Sequence, residues 1–145
     1  MLGVSGMDIQ KLKSDYNLIG KLMPTFNGHY LQKWTTKDFT IDDFYKTNTD
    51  TGEVTLCDGF AVQPHKDIIV IDVDRKGNVD GLCSLPELGI EMGNTLTQTT
   101  KSGGYHLVYR HPRALDISGR SGVARGIDIR TNVNNIRVEP TENYF

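Results

Sequence analysis

Cysteine is scarce in this chain of 145 residues: Cys57 and Cys83 are the only two, and neither lies in a C-x-x-C or Cys/His cluster. Neither a zinc centre nor a disulfide framework is implied, and two buried or half-buried free thiols in a cytoplasmic protein are expected. Long apolar runs are missing too. None approaches the ~18 residues that a membrane-spanning helix needs, and no charged-then-apolar start marks a secretory signal. Net charge is small, −2 with a pI of about 6.0. That argues against a uniformly basic nucleic-acid-coating protein, but it leaves room for a local basic groove. Internal repeats, low-complexity tracts and proline-rich linkers are absent, so a single domain over residues 1–145 is expected. With 37% hydrophobic and 23% charged residues, the chain has the composition of an ordinary domain with a real core.

Patterning along the chain supplies the elements. Residues 1–6 read as a disordered start, or one added for expression. Leu12, Tyr16, Ile19 and Leu22 or Met23 recur every three to four residues, which predicts an amphipathic helix over 7–23 closed by Pro24. Residues 40–43, Thr-Ile-Asp-Asp, resemble an N-cap with first-turn acids and predict a short helix. Residues 48–52 carry turn chemistry. Runs at 53–57, 59–63, 67–73, 95–100, 105–110, 126–130 and 136–139 predict strands, with a polar turn at 75–78. A helix is expected over 84–92, its first turn tolerating Pro86. Residues 114–125 read as a loop. Adjacent strands joined by short turns, with two or three helices, predict an α+β or mixed α/β layered fold.

The chain is organised around residues 67–74, Asp-Ile-Ile-Val-Ile-Asp-Val-Asp. Side chains at i and i+2 leave the same face of a strand, so Asp72 and Asp74 point the same way, about 6–7 Å apart at ~3.3 Å per residue. Two like charges at the end of an apolar strand are costly unless a cation neutralises them. Oxygen ligands of this kind suit Mg²⁺ or Mn²⁺. The pair alone is equally compatible with acids that simply face water.

A third acid follows downstream. Asp128 lies between Ile127 and Ile129; alternation sends the isoleucines into a core and the aspartate to the opposite face with Gly126 and Arg130. By itself it also fits a solvated strand residue. Three carboxylates can serve the two-cation sites of phosphoryl transfer, whose ions lie about 3.5–4 Å apart. Between the acids, Lys101-Ser102-Gly103-Gly104 can turn backbone N–H groups toward an anion, with Lys101 and Ser102 adding charge and a hydroxyl. The same residues also make a plain hairpin turn. On the strand that follows, His106 can hydrogen-bond a phosphate oxygen, or stand as an ordinary strand histidine.

The order of these segments, IDVD, then TKSGGYHLVYR, then GIDIR, resembles the archaeo-eukaryotic primase superfamily. Within it, the likeness is to the bifunctional primase–polymerase (prim-pol) catalytic domain of phage and plasmid replication proteins. The acidic pair falls on Asp72 and Asp74, the small-x-histidine strand on Gly104-Tyr105-His106, and the hydrophobic-Asp strand on Ile127-Asp128. Gly59-Phe60-Ala61-Val62-Gln63-Pro64 resembles the strand that leads into the family's metal site. The resemblance covers residues 55–140 well and the first 50 loosely. A Lys-x-Pro element near the N-terminus is missing, and the family's closing strand is represented only by residues 136–141. No helicase or zinc-binding stalk is present, so either a catalytic core of a longer protein or a compact stand-alone member is expected.

The resemblance implies an RRM-like mixed sheet carrying the acidic site, with a small N-terminal α/β unit packed on it. It also implies a two-metal Mg²⁺ or Mn²⁺ site without zinc, nucleoside triphosphates, and a single-stranded or primed DNA template. A helicase domain or subunit is a further partner, and the setting is the cytoplasm of a bacterial or archaeal host. Asp72, Asp74 and Asp128 then hold the metals, while His106 and Ser102 contact the triphosphate. Charge and position add Lys101, Arg110 and Arg130 as phosphate partners. Arg120 and Arg125 are candidates for the nucleic-acid backbone. Tyr30, Trp34, Phe39, Phe44, Tyr45, Tyr105 and Tyr109 could stack bases, but packing is the expected role of most. The expected activity is template-directed nucleotidyl transfer. A non-catalytic nucleotide- or DNA-binding module on the same scaffold is the alternative, with a metal-dependent nuclease as a third reading.

Overall fold

The computed structural model describes residues 8–91, 93, 95–110 and 120–138 of the chain, without the side chains of 120 and 121. The start expected at 1–6, the loop expected at 114–119 and the final residue of the strand expected at 136–139 lie outside these. The chain opens with α1 (Ile9–Tyr16), β1 (Gly20–Phe26), β2 (His29–Tyr30) and a 3-10 turn (Ile41–Phe44). It continues through β3 (Tyr45–Thr47), β4 (Val54–Leu56), β5 (Gly59–Pro64), β6 (Ile68–Val73) and the hairpin of β7 (Arg75–Lys76) and β8 (Val79–Asp80). Two further 3-10 turns (Gly81–Cys83, Pro86–Leu88) precede β9 (Leu96–Thr99), β10 (Tyr105–Arg110), β11 (Arg120–Ala124), β12 (Ile127–Arg130) and β13 (Ile136–Val138).

Most strands form two sheets, ordered β13-β5-β1-β2 and β11-β12-β6-β10-β9. The class is α+β, as expected. The mixed sheet is corrected: every pairing among the described residues is antiparallel.

Three helix expectations also change. The helix expected over 7–23 stops at Tyr16, and the chain re-enters as strand at Gly20. The apolar residues Ile19, Leu22 and Met23 that suggested helical spacing are buried by pairing β1 with β5 instead. Gly20 permits that pairing, because a Cβ there would overlap the Gln63 carbonyl. The helix expected over 84–92 shrinks to one 3-10 turn, since Pro86 starts it and Gly89, at φ +71°, ends it in the left-handed region. Residues 40–43 do cap a turn through a Thr40/Asp43 capping box, but the turn is 3-10.

Two apolar cores flank the second sheet. Ile71 and Val73 of β6, Leu107 of β10 and Ile127 of β12 close one core with Leu85. Ile68 and Val70 face the other way, into a larger core with Leu22, Met23, Phe44, Phe60 and Val62 of the N-terminal half. The chain passes between the sheets twice, at 65–67 and at 131–135. These crossings are tied together: Asn132 Nδ2 donates to the Pro64 carbonyl (2.8 Å), and Gln63 Nε2 donates to the Asn132 carbonyl (2.7 Å). Beyond Val70 the N-terminal half no longer supplies an apolar cover to that face of β6. There the residues turn acidic.

Candidate active site

Strand pairing places the site. Asp72 on β6 stands opposite His106 on β10 and opposite Asp128 on β12. His106 in turn stands opposite Gln98 on β9. Directly paired residues share a face, so Gln98, His106, Asp72 and Asp128 make one polar row across four strands. Asp74 follows two residues after Asp72, and Arg130 two after Asp128. Alternation explains why: Ile127 and Ile129 pack with the opposite core, as Ile71 and Val73 do.

Arg130 sits between two acids. Its Nη2 lies 3.2 Å from Asp128 Oδ2 and 3.4 Å from Asp72 Oδ2, with Nε also 3.4 Å from Asp72. Asp128 Oδ1 accepts from the Gly122 amide at 2.7 Å. Asp74 makes no ion pair with a described residue. Burial raises the Asp72 carboxyl above the ordinary range; Arg130 pulls against this and Asp128 adds to it. Burial raises Asp74 as well, followed by repulsion from Asp72 and Asp128. His106 is pushed down to about 4 by burial and then by the Arg130 charge. Its ring is therefore neutral at pH 7, and its Nε2, 3.6 Å from Asp72 Oδ1, makes a polar contact rather than an ion pair. Gln98 Nε2 lies 3.0 Å from His106 Nδ1 and donates to the Arg137 carbonyl at 2.7 Å, linking β9 to β13.

The β9–β10 turn brings Lys101 and Ser102 to the same place. Gly104 sits where a Cβ would overlap the Val73 carbonyl, which lets the turn lie against the end of β6. Lys101, Ser102 and Thr100 border a cleft of about 410 Å³ together with Asp72, Asp74 and His106. A second cleft, of about 360 Å³, has Asp72, His106 and Arg130 on one side and Tyr30, Trp34 and Arg137 on the other.

Other expected residues stand apart. Arg110 is at the far end of β10, opposite Ile68, with Nε 3.9 Å from Asp67. Arg125 is exposed beside the β7–β8 hairpin, where it donates to the Asn78 carbonyl. Arg120 begins β11, inside the stretch expected to be a loop; its side chain is outside the described atoms. Phe39 and Phe44 are buried in the larger core, with Tyr45 and Trp34 packed partly against it. Sequence reading missed Gln98 and Arg137. Neither has a local signature, since Gln98 comes to His106 by strand pairing and Arg137, on the other sheet, by the contact of its carbonyl with Gln98.

The residues suit a divalent cation in chemistry. Three carboxylates supply hard oxygen donors, and two of them carry charge that their surroundings disfavour. In this arrangement Arg130 holds Asp72 and Asp128, and no group of three or more His, Cys, Asp or Glu among the described residues closes around one point. A cation would take over the neutralising role of the guanidinium.

No helix among the described residues is long and apolar enough to cross a membrane. Neither a curated protein nor a solved structure matches the chain. One family model does, that of the bifunctional DNA primase/polymerase N-terminal domain, over residues 22–143. That match takes in the paired strands with both acidic segments, the turn at Lys101–Gly104 and His106. The chain therefore belongs to the Prim-Pol family of DNA primase/polymerases.

Proposed function

We propose that this domain is a metal-dependent nucleotidyltransferase that extends, and in its full setting initiates, DNA on a template. The observation that carries the reading is the direct opposition of Asp72 and Asp128 across β6 and β12, with Asp74 beside them. In this reading Asp72, Asp74 and Asp128 hold Mg²⁺ or Mn²⁺. Bound there, such ions would lower the pKa of an attacking 3′-hydroxyl and stabilise charge on the leaving pyrophosphate.

The protein's own groups orient the substrate. Lys101 and Ser102 offer a charge and a hydroxyl to the triphosphate from the cleft edge. His106, neutral and buried, offers a hydrogen bond at the phosphate nearest Asp72 without adding charge. Arg130 neutralises phosphate oxygens once the carboxylates are otherwise engaged. The attacking hydroxyl adds to the α-phosphorus as the bond to pyrophosphate breaks, and its proton passes to solvent. By resemblance, the setting is a phage or plasmid replication protein in a bacterial or archaeal cytoplasm, alongside a helicase domain or subunit.

One observation favours a second reading, a non-catalytic nucleotide- or DNA-binding module: Arg130 pairs with both Asp72 and Asp128, so a side chain of the protein itself bridges the facing acids. Labelled-dNTP incorporation on primed and unprimed templates with Mn²⁺ separates the two. Extension that disappears in Asp72→Ala and Asp128→Ala, with far-UV circular dichroism unchanged, is expected. Wild-type incorporation in either variant refutes the assigned site. Template cleavage instead of extension assigns the site to hydrolysis.

A further inference from the structure

We infer that the aromatic-walled cleft beside the acids receives the base and sugar of the incoming nucleotide, with Trp34 as its stacking wall. The inference rests on the nucleotidyl-transfer reading and divides the substrate between two clefts. The clefts of about 410 and 360 Å³ have only Asp72 and His106 in common along their linings. Their chemistry differs. The first sets Lys76, Lys101, Thr100 and Ser102 beside Asp74, a set of charges and hydroxyls that suits a polyanion carrying a divalent cation and has no aromatic ring besides the shared His106. The second also carries the Arg130 and Arg137 guanidiniums. It alone adds the rings of Tyr30 and Trp34, with Val133, Ile136 and the amides of Asn134 and Asn135, a set that suits a flat ring with polar edges. A nucleoside triphosphate has the same two halves, joined at the α-phosphate. A molecule lying across both clefts puts that phosphate over Asp72 and His106.

The nucleoside cleft is held in shape before anything binds. The Tyr30 and Trp34 rings contact at 6.0 Å between centroids, tilted by 48°. Arg137 lies over the Tyr30 ring at 4.8 Å and donates to the Tyr30 hydroxyl (2.9 Å) and the Gly28 carbonyl (2.7 Å). Lys21 fixes the Trp34 segment through the Trp34 and Lys37 carbonyls. Gln63 joins the two walls, donating to the carbonyls of Thr35 (3.2 Å) and Asn132 (2.7 Å). On the far rim, Asn134 Oδ1 accepts from the Thr131 amide, whereas the Asn135 amide group makes no hydrogen bond with a described residue. That leaves Asn135 to meet the base edge or the sugar. Preorganised walls reduce the ordering cost of binding.

Trp34 is the only tryptophan in the chain, so no other tryptophan overlaps its emission from the cleft wall. The whole chain is titrated with Mg²⁺-dATP and with Mg²⁺-tripolyphosphate, following emission and, in parallel, heat. Both ligands are expected to bind, and only dATP changes the emission, saturating at its calorimetric Kd. Trp34→Ala is expected to weaken dATP about tenfold and leave tripolyphosphate unchanged, whereas Trp34→Phe restores most of the affinity. Asn135→Ala reads the opposite rim, with a smaller loss for dATP alone. Equal emission responses to both ligands, or dATP affinity untouched by Trp34→Ala, overturns the inference. The catalytic reading fails separately: if dATP shifts Trp34 emission but nothing is incorporated, the nucleoside cleft stands and polymerisation does not.

Discussion

Asp128 stands directly opposite Asp72 across the β6–β12 ladder, and one guanidinium, that of Arg130, contacts both. Facing carboxylates repel, so the pair depends on whatever cation lies between them. The arginine sits two residues from one acid and comes to the other only through strand pairing.

Removing that cation should cost stability. Arg130→Ala is expected to destabilise the fold by about 1–2 kcal/mol at pH 7, since the lost contacts are partly buried and charge-assisted. Adding Asp72→Asn should return most of the loss, because the repulsion then has only one partner. Urea unfolding of the single and double variants measures the coupling. Additive losses would mean that Arg130 does not mediate between the acids.

The site also sets a pH dependence with two opposed contributions. His106, about 4 when folded against 6.5 when unfolded, binds fewer protons in the native state. Its contribution is complete above pH 6.5 and fades as pH falls toward 4, by about 3 kcal/mol at most. Asp72 and Asp74 are raised above 3.8, so they weaken the fold at neutral pH; that penalty starts to shrink as pH falls through their folded values and is gone below 3.8. Two variants separate the contributions. The stability gap between wild type and His106→Gln should narrow by about 2 kcal/mol from pH 7 to pH 4.5. Asp72→Asn should gain on the wild type at pH 7 and lose that advantage in acid. Gaps that stay constant with pH would refute both assignments.

Gly104 is a steric requirement at the start of β10. Any Cβ would run into the Val73 carbonyl, a backbone atom that cannot step aside without moving β6. Gly104→Ala should cost about 2–3 kcal/mol and reduce triphosphate affinity along with stability, because it lifts the Lys101–Ser102 turn from the acids. Gly103→Ala, with open space but φ +82°, should cost about 1 kcal/mol and leave the strand contact intact. Equal losses at the two positions would remove the argument from close approach.

The two thiols should differ in reactivity. Cys57 is buried, its pKa pushed up to about 12 by burial, whereas Cys83 is exposed at the end of a 3-10 turn. Exposure of Cys83 corrects the expectation that both thiols are covered: its neighbours Gly81 and Ser84 take the inward positions. One thiol per folded chain should react with a disulfide reagent, and two after denaturation. Rapid reaction of both in the native state would contradict the packing around Cys57.

Much of the site was legible locally. IDVD and GIDIR each show an acid among β-branched residues, and period-two alternation is enough to place Asp72, Asp74 and Asp128 on the faces they occupy. Strands β4, β5, β6, β9, β10, β12 and β13 were visible as short apolar runs broken by turns, whereas β1, β2, β3, β7, β8 and β11 and the antiparallel pairing were not. Helices misled: Ile19, Leu22 and Met23 satisfy both a helical and a strand spacing over so short a window, and only the partner strand β5 decides between them.

What the sequence determined alone is which residues share a face and where the chain must turn, because those follow from backbone geometry within a few residues. Tertiary structure decided which face meets which. It set Asp128 rather than a neighbour opposite Asp72, and gave Arg130 two acids to bridge. It also drew Gln98 and Arg137 toward His106, and left Arg110 at the wrong end of its strand to join them. Register between strands distant in the chain is fixed by burying apolar rows on both faces at once, a condition on the whole fold that no local stretch contains.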